Sequence, residues 1–179
     1  LLLAVAAVAR AWSGAGSGQR VITMDDGLLS NTVRNTVQDR HGFIWMGTDN
    51  GLCRYDGMSI QSFRIPVNNG ADQYVSALCC MPDGLMVGTA RGLYVYNFRT
   101  EAFRRIIPEI NKVVTHITYD RDGNVWIATL GQGAYFYTPG NGRFRHYPMA
   151  TSQGLVDRLM VSSDNQIWAV NHITHPSVT

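Results

Sequence analysis

The sequence predicts an all-β fold assembled from repeated four-stranded units, and three observations carry the prediction. One phrase recurs: Ile44-Trp45-Met46-Gly47-Thr48, Leu85-Met86-Val87-Gly88-Thr89 and Val125-Trp126-Ile127-Ala128-Thr129, with its threonines 41 and 40 residues apart. A second phrase follows each copy, Asn50-Gly51-Leu52-Cys53-Arg54-Tyr55, Arg91-Gly92-Leu93-Tyr94-Val95-Tyr96 and Gln132-Gly133-Ala134-Tyr135-Phe136-Tyr137, and its closing tyrosines keep a 41-residue period. The composition suits many short strands joined by tight turns, with 18 glycines, 10% aromatic residues and only 16% charged ones.

Each element follows from these phrases. A polar turn precedes every copy of the first: Asp39-Arg40-His41-Gly42, Pro82-Asp83-Gly84, Asp120-Arg121-Asp122-Gly123-Asn124 and Ser163-Asp164-Asn165. Asp-Gly between apolar runs signals a hairpin. A fourth copy, Ile167-Trp168-Ala169-Val170, sets Trp168 42 residues after Trp126. Another short strand is expected to start at Phe63-Arg64, Phe103-Arg104 and Phe144-Arg145, completing four antiparallel strands per repeat. That is the content of one β-propeller blade, whose sheet buries both faces against its neighbours.

About four blades are expected within residues 20–179, near 28–66, 70–107, 111–148 and 151–179. Residues fixed at one place in every repeat belong to the packing between blades, so Trp45, Gly47, Thr48, Tyr55, Gly88, Thr89, Tyr96, Trp126, Thr129, Tyr137 and Trp168 read as a structural signature. Arg64, Arg104 and Arg145 read as charges that protect an outermost strand from edge-to-edge pairing. Residues 1–19 read as the remnant of a secretory signal peptide and a linker, because the apolar run Leu1–Ala9 is too short to span a bilayer and a small, polar stretch follows it. The chain is therefore expected to be exported.

Several chemistries are excluded. A formal charge of +2 with no basic stripe argues against nucleic acid. Cys53, Cys79 and Cys80 are odd in number and lack zinc spacing, so they read as apolar core thiols. The Asp120–Asn124 turn starts like a calcium loop, but its glycine comes early and Gly131 stands where a bidentate glutamate is needed. His172 and His175 lack a third ligand, and Gly14, Gly16 and Gly18 do not follow a strand. Asp25, Asp26 and Asp39 supply no acid/base pair that breaks the repeat, and there is no serine elbow. No catalytic residue, metal or cofactor is expected.

Function in propellers lies in the loops of one face, where the turn between second and third strands meets the connection between blades. On that basis Asn31, Asp49, Asn50, Tyr74, Arg91 and Gln132 are the candidate ligand-facing residues.

The phrases Gly27-Leu28-Leu29-Ser30-Asn31-Thr32-Val33, Gln38–Thr48 and Asn50–Gly57 resemble the two-component regulator propeller repeat of periplasmic sensor regions in hybrid two-component systems of gut Bacteroidetes. The second repeat departs from it, with Val87 in place of the tryptophan, and so does the fourth, with Ala169-Val170 in place of Gly-Thr. The resemblance implies a larger propeller of about seven blades, of which this chain is an N-terminal piece, with Arg20–Met24 as the strand that closes the ring. It also implies a periplasmic location on a membrane-anchored receptor, one downstream membrane helix, a histidine kinase, dimerisation, and a ligand such as an oligosaccharide. A polysaccharide-cleaving propeller enzyme and a protein-interaction scaffold are the alternatives. An open four-blade piece would expose apolar sheet faces and be poorly soluble.

Overall fold

The computed structural model describes residues 20–67, 73–148 and 155–171. The expected signal remnant at 1–19, with Gly14, Gly16 and Gly18 in it, and the histidines His172 and His175 lie outside these residues. Among the described residues fourteen strands form, in chain order β1 (Val33–Gln38), β2 (Ile44–Thr48), β3 (Gly51–Tyr55), β4 (Ile60–Phe63), β5 (Val75–Met81), β6 (Gly84–Thr89), β7 (Gly92–Asn97), β8 (Ala102–Ile106), β9 (Val114–Tyr119), β10 (Val125–Thr129), β11 (Gly133–Thr138), β12 (Arg143–Tyr147), β13 (Arg158–Val161) and β14 (Ile167–Val170). They make three antiparallel sheets of four consecutive strands and one pair, β13–β14. The first strands of successive sheets, β1, β5, β9 and β13, pack side by side, which places them innermost, and the fourth strands lie outermost. This is an arc of a β-propeller.

The threonine that ends each second strand is buried because it closes the following turn. Thr48 Oγ1 donates to the Gly51 carbonyl at 2.9 Å, Thr89 Oγ1 to Gly92 at 3.0 Å and Thr129 Oγ1 to Gly133 at 2.6 Å. Gly47 and Gly88 precede it because the next blade's inner strand leaves no room: an added Cβ would lie 2.6 Å from Val75 Cγ1 or from Val114 Cγ1. Tryptophan and tyrosine alternate in the direction they face. Trp45 points from the first sheet into the same core as Tyr96 of the second, with ring centroids 5.4 Å apart. Each indole needs a partner when buried, and an aspartate six residues earlier provides it. Trp45 Nε1 donates to Asp39 Oδ2 at 2.7 Å, and Trp126 Nε1 to Asp120 Oδ2 at 3.2 Å.

Three expectations need correction. Met86, not Val87, occupies the tryptophan's place: Met86 faces the third sheet, as Trp45 faces the second, whereas Val87 faces back to the first. The outer strand of the first blade is Ile60–Phe63, so it ends at Phe63 instead of starting there, and Arg64 lies beyond it. The cause is a shorter hairpin: Tyr55 pairs with Ile60, whereas Tyr96 pairs with Phe103 and Tyr137 with Phe144. Gln61 is thus the counterpart of Arg104 and Arg145. Finally, Arg20–Met24 forms no strand. Thr23 caps a 3₁₀ turn at Met24–Asp26, and Ile22, Leu28 and Leu29 lie on the outer side of the first sheet against Val33, Met46 and Cys53.

At the other end of the arc, Met160, Trp168 and Val170 remain more than half exposed. Met160 and Trp168 are directly paired across β13 and β14, so they share one face of the pair.

Candidate functional site

Three of the four inner strands, β1, β5 and β9, carry a β-bulge at the same place. The pairing skips one residue between Val33 and Asn35, between Val75 and Ala77, and between Val114 and the partner of Ala128, His116. The extra residues are Arg34, Ser76 and Thr115. A bulge re-aims its side chain out of the ladder, and in two blades that side chain reaches the next one. Ser76 Oγ donates to the Val114 carbonyl at 2.6 Å, and Thr115 Oγ1 donates to the Val156 carbonyl at 2.5 Å.

The first blade departs from this pattern. Arg34 at the bulge position turns to the β2–β3 turn and forms a forked pair with Asp49, Nε to Oδ1 at 2.6 Å and Nη2 to Oδ2 at 3.1 Å. Its guanidinium carbon lies 5.5 Å from the centre of the Tyr74 ring, on the connection into the second blade. The hydrogen bond to Asp49 raises the Arg34 pKa above its ordinary value; partial burial opposes this, and the charges of Tyr74 and Asp49 reinforce it. The pair is only partly covered, with side-chain exposures of 40% and 36%. In the second and third blades the counterparts of Asp49 are Ala90 and Leu130, so neither of those blades has either half of the pair.

All six sequence-predicted residues lie at this end of the sheets, before β1, in the β2–β3, β6–β7 and β10–β11 turns, or before β5. The structure brings Asp49 and Tyr74 together through Arg34. The others serve loop architecture. Asn31 Oδ1 accepts the Met24 amide at 2.9 Å, and Asn50 Nδ2 donates to the Leu29 carbonyl at 3.4 Å. Gln132 bridges the blade connection, with Nε2 on the Glu109 carbonyl and Oε1 accepting the Asn111 amide, both at 3.0 Å. Arg91 supplies its backbone, accepting Arg105 Nη2 at 3.2 Å and donating to Thr89 Oγ1 at 3.3 Å. Arg34 is the residue that sequence reasoning missed. Setting Arg34 beside Ser76 and Thr115 in the repeat alignment is the signal that would have found it.

A family profile, two component regulator propeller, matches residues 27–50 and 108–131. These two segments resemble two component regulator propeller repeats. The first holds the Arg34–Asp49 pair and the second the Thr115 bulge, so the repeat itself contains the bulge and the turn that faces it. No curated protein matches the chain. Among solved structures, it resembles the extracellular domains of two proteins from B. thetaiotaomicron described as hybrid two component systems. The first has a TM-score of 0.75 and 20% identity, over 87% of this chain and 22% of that one. The second has a TM-score of 0.74 and 23% identity, over 84% and 23% respectively. Virginiamycin B lyase from Staphylococcus aureus is also similar, with a TM-score of 0.66 and 15% identity over 78% of this chain and 48% of that one. At these identities the likeness is one of fold. The chain spans between a fifth and a quarter of the two B. thetaiotaomicron chains.

Proposed function

We propose that these repeats belong to the extracytoplasmic, ligand-sensing propeller of a hybrid two-component receptor, and that the ligand is a carbohydrate. The observation that carries the receptor reading is the match to two component regulator propeller repeats at 27–50 and 108–131. The extracellular placement of similar propellers in B. thetaiotaomicron supports it.

The Arg34–Asp49–Tyr74 cluster supports the carbohydrate. A forked guanidinium–carboxylate pair beside an aromatic face offers donors, acceptors and a stacking surface to a neutral, hydroxyl-rich ring. It lies where the first blade replaces the Ser/Thr bridge to its neighbour with a charged pair. Ligand at this point gains differential contact with two blade packings, which is what shifting a receptor between two states requires. In the full receptor that shift would pass through a dimer and a membrane helix to a histidine kinase.

Calorimetry of the receptor's whole extracytoplasmic region with a panel of neutral oligosaccharides tests this reading. At least one should bind and be recovered unaltered, and Arg34→Ala should weaken it tenfold or more. Turnover of the sugar would replace the sensor with an enzyme, and binding to proteins alone would replace it with a scaffold.

A further inference from the structure

We propose that a cleft between the first and second blades, at the end of the sheets opposite Arg34, binds a small carboxylic acid that presents one flat ring face. The cleft has a structural cause. The β1–β2, β9–β10 and β13–β14 turns each span five residues, whereas β5 and β6 are joined by Pro82 and Asp83 alone. Between the third and fourth blades two long turns meet and close the gap: the Arg121 amide donates to Asn165 Oδ1 at 2.9 Å, and Asn165 Nδ2 to Asp122 Oδ2 at 3.2 Å. Between the first and second, the short turn reaches across through the ion pair of Arg40 and Asp83, 3.7 Å apart, with the Asp83 side chain 87% exposed. Such a pair is too solvated to hold a gap shut.

What remains is a cleft of about 230 Å³ lined by Asp39, His41, Phe43, Trp45, Arg54, Tyr96 and Phe98. Ligand pockets for drug-sized molecules run from about 300 to 1,000 Å³, so this one suits a single ring. Its polar groups are sorted by charge. Asp39 is occupied, accepting the His41 and Phe43 amides at 2.9 and 3.1 Å and the Trp45 indole at 2.7 Å. Arg54 is not. Its guanidinium lies 4.6 Å from the Phe43 ring centre and 5.5 Å from that of Trp45, and Nη2 donates to Gln61 Oε1 at 2.5 Å. Nε and Nη1 have no partner among the described residues and are not buried.

Packing does not demand a cation here. The same place on the third strand holds Val95 in the second blade and Phe136 in the third, each paired with an arginine, Arg104 or Arg145, where the first blade has Gln61. The cation has moved from the outer strand to the cleft. A guanidinium seated among aromatic rings with two open donors takes a carboxylate, and the half-buried Phe43 and Phe98 line the cleft beside the ring that bears it. A sugar acid and an aromatic acid share this chemistry. The inference does not rest on the receptor reading.

Calorimetric titration of the 179-residue chain with glucuronate, phenylacetate and neutral methyl glucoside tests it. One or both acids should bind at least tenfold more tightly than the neutral sugar: glucuronate alone identifies a sugar acid, and phenylacetate alone an aromatic one. Arg54→Gln should weaken acid binding tenfold or more, while Arg143→Ala, on the outer strand of the third blade, leaves it unchanged. As a second variant that spares Arg54, replacing the Pro82-Asp83 turn with the five-residue Asp120–Asn124 sequence should close the cleft and abolish binding. No acid binding at millimolar concentration, equal binding of the neutral sugar, or full binding with the lengthened turn would overturn the proposal.

Discussion

The two complete junctions of the arc solve one packing problem differently. Between the first and second blades, Trp45 meets Phe63, Tyr96 and Phe98, with ring centroids 5.2 to 5.8 Å apart, and its indole is tied to Asp39. Between the second and third, Met86 takes the same place among Ile106, Ile107, Ile110, Ile117 and Ile127. The aspartate is missing there too, because the two-residue β5–β6 turn has no position for it. A buried indole requires an acceptor and a thioether does not, so tryptophan, aspartate and the long turn stand or fall together. The lost turn also opens the Arg54 cleft on the preceding blade.

Stability measurements on the chain can break or sharpen this comparison. Trp45→Ala should cost about 4 kcal/mol by denaturant unfolding and Met86→Ala about 3 kcal/mol, in line with truncation of large buried side chains. A smaller loss at Trp45 would mean that the first junction carries less of the fold than its ring cluster suggests. Asp39→Ala should cost about 2 kcal/mol, since two amides and an indole lose their acceptor. That cost should shrink by about 1 kcal/mol when Trp45 is already alanine. Asp83→Ala, at the exposed ion pair of the short turn, should change stability by less than about 0.5 kcal/mol. Equal effects at Asp39 and Asp83 would refute the link between turn length and tryptophan.

Gly88→Ala should cost about 2 kcal/mol by overpacking against Val114, which its Cβ would approach to 2.6 Å. Ala128 at the matching place in the third blade shows that the following junction is wider, and Ala128→Gly should cost less than about 1 kcal/mol.

The smallest effect at neutral pH becomes visible in alkali. Burial pushes the Cys79 thiol to about 12, with the Cys80 charge adding to it, and the Cys80 thiol to about 11, with Asp39 adding to it. Tyr119, whose hydroxyl donates to the Cys80 carbonyl, is raised as well, chiefly by burial. These groups stay protonated in the folded chain after they ionise in the unfolded one, so the unfolded state binds fewer protons and stability falls as pH rises. The decline should run from about pH 9, the ordinary thiol value, to about pH 12. A flat stability profile across that window would show that the thiols are not held as neutral core groups.

Much of the fold was legible because the repeat repeats physical demands. Threonine closes the same turn in the first three blades, glycine admits the next valine in two of them, and tryptophan and tyrosine face each other across the first junction, so each recurs at the spacing of the repeat. The sequence misleads in two places. The shortened β3–β4 hairpin moves Arg64 off the outer strand of the first blade, whereas at Met86, 41 residues after Trp45, the repeat keeps its spacing and only the side chain changes. The candidate site was less legible. Asp49 and Tyr74 could be placed on the correct end from strand order alone. Arg34 could not, because a β-bulge has no sequence marker of its own and only the comparison with Ser76 and Thr115 exposes it.

The most direct test of the account is to read the open frame that surrounds these 179 codons. The receptor reading predicts further repeats of about 41 residues, then one apolar helix of about 20 residues and a histidine kinase. A stop codon shortly after Thr179, with no membrane helix and no kinase in the frame, would contradict it.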